Sequence, residues 1–596
     1  MKPAINIILA FLSFTAAAQS PWKPADGPLK TRWTDQVSPA NAHPEYPRPQ
    51  MVRERWKSLN GLWSYSIRPL LEPAPQRWDG QLLVPFPVES MLSGVRRMVG
   101  PTNRLWYKRT FTIPAGWKGQ RIVLHFEAVD WETTVWVNGR AMGQHRGGYD
   151  AFSFDITDAL TTGEQEVVLS VWDPSNDGDQ PAGKQYNVPR SIWYTPTTGI
   201  WQTAWLEPVP PVAIEDFKIL PDIDTKTLAL VVPHSAAGGY SIEATAYDKG
   251  MKVSSVRGRL NDTLRLPVKN MKLWSPASPF LYDLTIALYR NGKREDVITT
   301  YFGMRSIKLG KDSEGITRLL LNNEAVFQYG PLDQGFWPDG IYTAPTDEAL
   351  KYDIQVEKDL GFNMIRKHVK VEPRRWYYWC DRIGMLVWQD MPSGDKHITK
   401  TEPDIVRTAQ SSYQYRKELK AMIDEHYNSP SIVAWVPFNE GWGQFETASI
   451  AALVKTLDGS RLVSATSGWS DRNVGDMSDI HVYPGPDMPA LEAARAAVLG
   501  EFGGQALVVR EHLWQADLSR APGHIRTSQT AEDLQKVYEG LIAKLMQLKK
   551  QGLSAAVYTQ TTDVETEVNG IMTYDRQLIK MDAERLKQLH RQLTDK

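Results

Sequence analysis

The sequence predicts a multidomain β plus α/β protein, with two β-sandwiches followed by a (β/α)8 barrel. Three observations predict it. The chain has 596 residues, more than one hydrophobic core usually organises. From Ser58 to Phe302, short alternating apolar–polar runs are broken by Gly, Pro, Asn and Asp, without long helical periodicity. After Gly303, strand-like runs alternate with amphipathic helical stretches, the signature of a parallel sheet covered by helices. The 68 basic residues nearly cancel the 69 acidic ones, leaving a net charge of −1. Nucleic acid and anionic membrane surfaces are therefore not expected as main partners, because such binding draws on an excess of Lys and Arg.

The N-terminus reads as a secretory signal peptide over residues 1–18. Lys2 precedes an apolar run from Ile5 to Phe14 and the small residues Ala16, Ala17 and Ala18. The run is too short for a bilayer anchor, so a secreted, periplasmic protein without a membrane anchor is expected. The lone Cys380 cannot form an intramolecular disulfide, and its aromatic helix suggests a buried structural thiol. Residues 19–208 are expected to form the first sandwich. Thr134-Val135-Trp136-Val137 runs into Asn138-Gly139 and then Arg140-Ala141-Met142, a strong hairpin signal. The stiff segment Pro208-Val209-Pro210-Pro211 marks a boundary. Residues 209–303 then fit a small immunoglobulin-like sandwich with a second hairpin at Asn291-Gly292.

Residues 304–596 are expected to form the barrel. Strand candidates are Val326–Tyr329, Met364–His368, Met385–Asp390, Ile432–Phe438, Leu462–Thr466, Asp479–Tyr483, Ala496–Gly500 and Ala555–Tyr558. No Gly-rich dinucleotide loop follows the first, which disfavours an open doubly wound sheet. Barrel active sites lie at the C-terminal ends of the strands. Asn439-Glu440 ends the fourth strand and Glu501 the seventh. Those strands face each other across the mouth, so the two carboxyl groups can flank one bond. A retaining glycosidase needs that arrangement, with one carboxylate as nucleophile and the other as acid and then base. Neither a His-Glu-x-x-His zinc motif nor a Gly-x-Ser-x-Gly elbow is present. The competing classes are a carbohydrate-binding protein without turnover and a structural surface protein.

With these motifs the chain resembles glycoside hydrolase family 2, the family of β-galactosidases, β-glucuronidases and β-mannosidases. Leu59-Asn60-Gly61-Leu62-Trp63 and Trp106-Tyr107-Lys108-Arg109 resemble its sugar-binding jelly-roll domain. Leu273-Trp274-Ser275-Pro276 resembles its immunoglobulin-like domain, and Phe302-Gly303-Met304-Arg305 its lead into the barrel. The resemblance implies Glu440 as acid/base, Glu501 as nucleophile and Asn439 as a donor to the sugar 2-hydroxyl. It implies substrate-facing Arg366 and His368, with a supporting ion pair for Arg366 and a packed imidazole for His368 as the alternatives, a Tyr483 hydroxyl bonded to the nucleophile, and Tyr558 where many relatives carry a Trp under the sugar. Trp388 and Asp390, which end the third strand, are candidates either for a sugar platform and a hydroxyl acceptor or for core packing and a loop cap. Asp333 is a candidate pocket residue on the first loop, whereas the acids Asp563, Glu565 and Glu567 on the last are expected to be solvated.

The chain also departs from the family. Gln389-Asp390-Met391-Pro392-Ser393-Gly394 lacks the acidic-then-His motif of the well-known β-galactosidases and β-glucuronidases. The carboxylate–His set that binds magnesium in some relatives is unmatched, so neither metal nor other cofactor is expected. The Asn-x-Lys pattern by which glucuronidases hold a uronic acid is not found either. The expected substrate is accordingly a neutral β-linked sugar, a β-galactoside first, with β-mannoside, β-glucuronide and furanoside as alternatives.

Overall fold

Asn138 and Gly139 both adopt positive φ, 49° and 76°, and close the expected hairpin between Glu132–Val137 and Arg140–Arg146. That hairpin edges a six-stranded antiparallel sheet, which faces a four-stranded one built on Arg121–Phe126 and Ala204–Val209. The computed structural model describes residues 22–595 except 236–237, 520 and 523–525, so the expected leader over residues 1–18 lies outside the described residues. Apolar side chains from alternate positions of both sheets, among them Trp63, Tyr107, Leu124 and Leu169, fill the space between them. The Pro-rich joint does not end the last strand at 208. Ala204–Val209 runs through Pro208, which lies beyond the pairing with Lys57–Ser58 and so loses no ladder bond on that side.

The next sandwich packs the three-stranded sheet of Lys218–Asp222, Thr227–Val231 and Leu264–Pro267 against a four-stranded sheet. Its second hairpin turns at Asn291 and Gly292, with φ of 49° and 81°.

The barrel strands are β1 (Gln328–Asp333), β2 (Met364–Lys367), β3 (Leu386–Asp390), β4 (Ile432–Val436), β5 (Leu462–Val463), β6 (Met477–Val482), β7 (Ala496–Gly503) and β8 (Ala555–Thr559). They form one parallel sheet in the order β5-β4-β3-β2-β1-β8-β7-β6. The seam between β5 and β6 is bridged at Val463, whose N–H donates to Asp476 Oδ2 at 2.7 Å and whose carbonyl accepts from Asp476 N–H at 2.7 Å. Residues of one parity, such as Met364, Leu386, Val498 and Val557, fill the lumen. Those of the other, such as Ile365, Val387, Leu499 and Tyr558, pack under the helices. The hairpin Ile307–Lys311 and Thr317–Leu321 closes the N-terminal end with Ile307, Leu319 and Leu321. Helix boundaries follow local chemistry. Helix α1 (Asp347–Asp359) starts where the Thr346 side chain accepts from Ala349 N–H, and its first turn carries Asp347 and Glu348. Helix α2 (Arg374–Ile383) follows Pro373 and stops at Gly384, which has φ of 84°. Cys380 is free and buried within it.

Candidate active site

At the C-terminal end of β7 the register shifts, leaving Gly500 as an extra residue between Leu499 and Glu501. A bulge of this kind re-aims the following side chain. Only glycine fits, because a Cβ there would lie 2.3 Å from Asp479 Oδ1 and from Ser467 Oγ. Glu501 thereby turns into the barrel mouth. Opposite, Phe438–Asn439 pairs with Thr466–Ser467, and Glu440 follows with φ of 51°. Its N–H donates to Ser467 O at 2.8 Å. A non-glycine residue in the left-handed region is rare and clusters at functional sites.

The two carboxylates meet around His481 on β6. One carboxylate oxygen each from Glu440 and Glu501 and one imidazole nitrogen of His481 all lie within 4.8 Å of one another. Nδ1 of His481 is 2.7 Å from Glu440 Oε1 and 3.6 Å from Glu501 Oε2, while Nε2 is 2.8 Å from Ser467 Oγ. Tyr483 donates its hydroxyl proton to Glu501 Oε2 at 2.5 Å, and Arg366 Nη1 donates to Glu501 Oε1 at 3.3 Å. Burial alone would raise the Glu501 pKa. The positive charge of His481, then of Arg366, and the Tyr483 hydrogen bond outweigh it and bring the pKa down to about 2. Burial likewise opposes a charged His481, but Glu501 and Glu440 prevail and its pKa is raised. Asn439 is 1% exposed; its Oδ1 accepts from Arg366 Nη2 at 2.8 Å and its buried Nδ2 has no partner. Among the described residues, Glu440, His481 and Glu501 are also the one trio of acidic and imidazole groups close enough to bracket a cation. Their hydrogen bonds to each other and to Tyr483, Arg366 and Ser467 account for the arrangement without one.

Three family models match the chain in order: the sugar-binding domain of glycosyl hydrolases family 2 over residues 83–188, its family 2 domain over 212–305, and its TIM barrel domain over 343–593. The chain belongs to glycosyl hydrolase family 2. A putative β-glucuronidase of Formosa agariphila is 27% identical over 374 residues, covering 61% of this chain and 34% of the relative. A β-galactosidase of Thermoanaerobacter pseudethanolicus is 26% identical over 353 residues, covering 56% of this chain and 44% of the relative. The matches thus span a third to a half of these curated relatives. Among solved structures, the β-D-glucuronidase of Dictyoglomus thermophilum has the same fold, with a TM-score of 0.73 at 19% identity over 92% of this chain and 99% of that one. The β-glucuronidase of Ruminococcus gnavus has a TM-score of 0.73 at 20% identity, over 92% and 100%.

Several side chains expected to face substrate in this family 2 barrel do other work. Trp388 is 0% exposed, lies in the lumen core and donates from Nε1 to Gln328 Oε1 at 2.7 Å, so it is no sugar platform. Asp390 is consumed by Arg366, at 3.1 and 2.9 Å, and by His368 Nδ1 at 2.9 Å. Arg366 spends its donors on Asp390, Asn439, Gly500 O and Glu501, so it orients the carboxylates instead of reaching out to a sugar. Asp333 is tied to Lys367 Nζ at 2.5 Å and Gly335 N–H at 2.8 Å, away from the mouth. Tyr558 points outward by strand parity and packs on Phe502 and Tyr538. From β8 it is Thr559 that meets the site, 2.8 Å from the Tyr483 hydroxyl. His368 stays at the site's edge, its ring 6.0 Å from Trp442, with burial holding its pKa well below the usual range.

The acids of the last loop are buried and not solvated. Asp563 pairs with Lys580 at 2.6 Å, Glu565 accepts from Thr195 N–H at 2.9 Å, and Glu567 accepts from the Tyr194 hydroxyl. Glu565 and Glu567 anchor a segment of the first sandwich, residues 180–197, over the barrel mouth. Its other side is held by Ala182 and Gly183, whose N–H groups both donate to Ser393 O at 2.8 Å. This segment brings Trp193 within 4.9 Å of Trp442, and His397 lies 5.6 Å from the same indole. Sequence reasoning missed His481, Trp442 and Trp193. His481 was discoverable as the residue of the same parity as Tyr483 on the sixth strand; the others gave no sequence signal.

Proposed function

We propose that this chain is a retaining exo-glycosidase acting by double displacement, with Glu501 as nucleophile and Glu440 as general acid and base. The observation that carries the reading is the approach of a Glu440 oxygen to a Glu501 oxygen within 4.8 Å. Retaining enzymes hold their carboxyl groups about 5–5.5 Å apart, whereas inverting ones leave about 6.5–9.5 Å for a water. Glu501, kept ionised by His481, Arg366 and Tyr483, attacks the anomeric carbon as the bond to the leaving oxygen breaks and Glu440 supplies that oxygen with a proton. In the second step Glu440 takes a proton from water, the water oxygen bonds to the anomeric carbon, and Glu501 leaves. The unpartnered Nδ2 of Asn439 supplies a donor for the sugar 2-hydroxyl.

For the substrate, a β-glucuronide takes precedence over the β-galactoside expected from sequence. The similarity to β-glucuronidases supports this order. Glu501→Ala is expected to abolish turnover of aryl glycosides, with azide restoring part of it and yielding the glycosyl azide of inverted configuration. An active Glu501→Ala enzyme, or rescue at Glu440 with that product, would remove Glu501 from the nucleophile role. Glu440→Gln is expected to impair poor leaving groups at least about 100-fold more than dinitrophenolates.

A further inference from the structure

The segment that the first sandwich lays over the barrel mouth carries a buried cation with no anionic partner among the described residues. Lys184 is 4% exposed. Its ammonium lies 5.6 Å from the ring centre of Tyr194 and 5.8 Å from that of Trp442. Among the described residues it has neither a carboxylate within 4.0 Å nor a hydrogen-bond acceptor. Other buried lysines of the chain are matched: Lys367 by Asp333 and Glu372, Lys370 by Glu372, Lys580 by Asp563. An unpaired cation inside a protein is costly, and stacking on an indole offsets only part of that.

The position of Lys184 is fixed and it faces the site. Its carbonyl accepts from Tyr194 N–H at 2.8 Å. Gly183 before it has φ of 64°, and a Cβ there would lie 2.6 Å from Val369 O, so this turn requires glycine. Trp442 stands two residues after Glu440, and besides Trp193 and His397 it meets His368, 6.0 Å away. The charges of Lys184 and of Glu501 both act on that imidazole. Lys184 therefore packs on the indole that stands two residues after Glu440 and beside His368.

We infer that Lys184 is an anion-recognition residue of the glycoside pocket, and that its ligand is the carboxylate of a uronosyl unit. This rests on the glycosidase reading and names its substrate class. The carboxylate supplies the missing counter-charge, and its recognition comes from the first sandwich instead of from a loop of the barrel. A neutral hexose brings only a hydroxymethyl group to the same place and leaves the ammonium unpaired.

The test compares kcat/KM for 4-nitrophenyl β-D-glucuronide and β-D-galacturonide with that for the matching glucoside and galactoside. Wild type, Lys184→Met and Lys184→Arg are measured together. Lys184→Met keeps the side-chain length that packs on Trp442 and removes the charge. The ratio of acidic to neutral kcat/KM is expected to fall at least about 30-fold in Lys184→Met and to be largely retained in Lys184→Arg. A ratio that does not move, with both substrate classes falling together, would make Lys184 structural and overturn the inference. If wild type hydrolyses none of the four, the β-glucuronide and β-galactoside readings of the proposed function fail separately. Calorimetric titration with D-glucuronate and D-glucose then decides the anion site. Glucuronate binding that Lys184→Met abolishes supports it, and equal or absent binding of the two sugars refutes it.

Discussion

His481 has no water to share its charge with: its side chain is 0% exposed and lies between the two carboxylates. Its raised pKa means that its contribution to stability is fully present below about pH 6.5, its unfolded value, and is lost as pH rises through the higher folded value. The melting temperature of His481→Gln is therefore expected to fall furthest below wild type at pH 6 and to approach it at pH 9; a constant difference would contradict a charged imidazole. Glu501 has the opposite sign. Its folded pKa of about 2 lies below the ordinary 4.5, so its contribution is present above pH 4.5 and disappears as pH falls through about 2. Tyr483→Phe deletes one of the bonds that hold the carboxylate ionised. It should move the acid limb of kcat/KM to higher pH while lowering kcat about 10- to 1000-fold. The two glutamates were legible in the sequence because each closes an apolar strand run. An ion pair for Arg366 was one of two readings the sequence allowed, but its partner Asp390, on the next strand, was not legible until the folded chain set the two side by side.

At the scale of elements, the eight parallel strands could be read because strands buried on both faces are near-continuous apolar runs. Tyr558 was misassigned by a single residue of parity, which in a strand exchanges lumen for exterior. The last βα loop was misread for a different reason. Its acids have partners in Tyr194 and Thr195, more than 360 positions earlier in the chain, and no local pattern announces them. Their burial predicts a function for the loop as an anchor. Glu565, pushed up to about 7 by burial, is the acceptor for Thr195 N–H at 2.9 Å. Glu565→Ala and Glu567→Ala each leave a buried donor of the 180–197 segment unpaired, a loss of about 1–3 kcal/mol. Each variant should show faster proteolytic cleavage within residues 180–197 and a raised KM with a smaller change in kcat. Unchanged cleavage and KM would mean that the contacts to Ser393 and Trp442 hold the segment without these acids.

For the whole molecule, domain organisation followed from composition and periodicity, but the dependence of one domain on another did not, because interface residues look like core residues. Trp33, Tyr149, Tyr194 and Trp201 of the N-terminal region share one apolar cluster with Trp337, Tyr342 and Leu350 of the barrel. Polar groups cross the same boundary. Thr31 and Thr34 donate to Asp339 Oδ2 at 2.6 and 2.7 Å, Thr343 donates to Trp201 O at 2.6 Å, and Ala151 N–H donates to Glu425 Oε1 at 2.8 Å. Separating the two would expose that cluster and strand Asp339, Glu565 and Glu567 without their donors. Each orphaned buried group costs about 1–3 kcal/mol, and a domain's whole stability is only about 5–15 kcal/mol. The first sandwich and the barrel should therefore unfold in one calorimetric transition, and a chain beginning at residue 304 should fail to fold into a cooperative barrel. Two separate transitions, or a truncated barrel with its own sharp melting and near-wild-type turnover, would show that the mouth is completed by the barrel itself and that the overlying segment is dispensable.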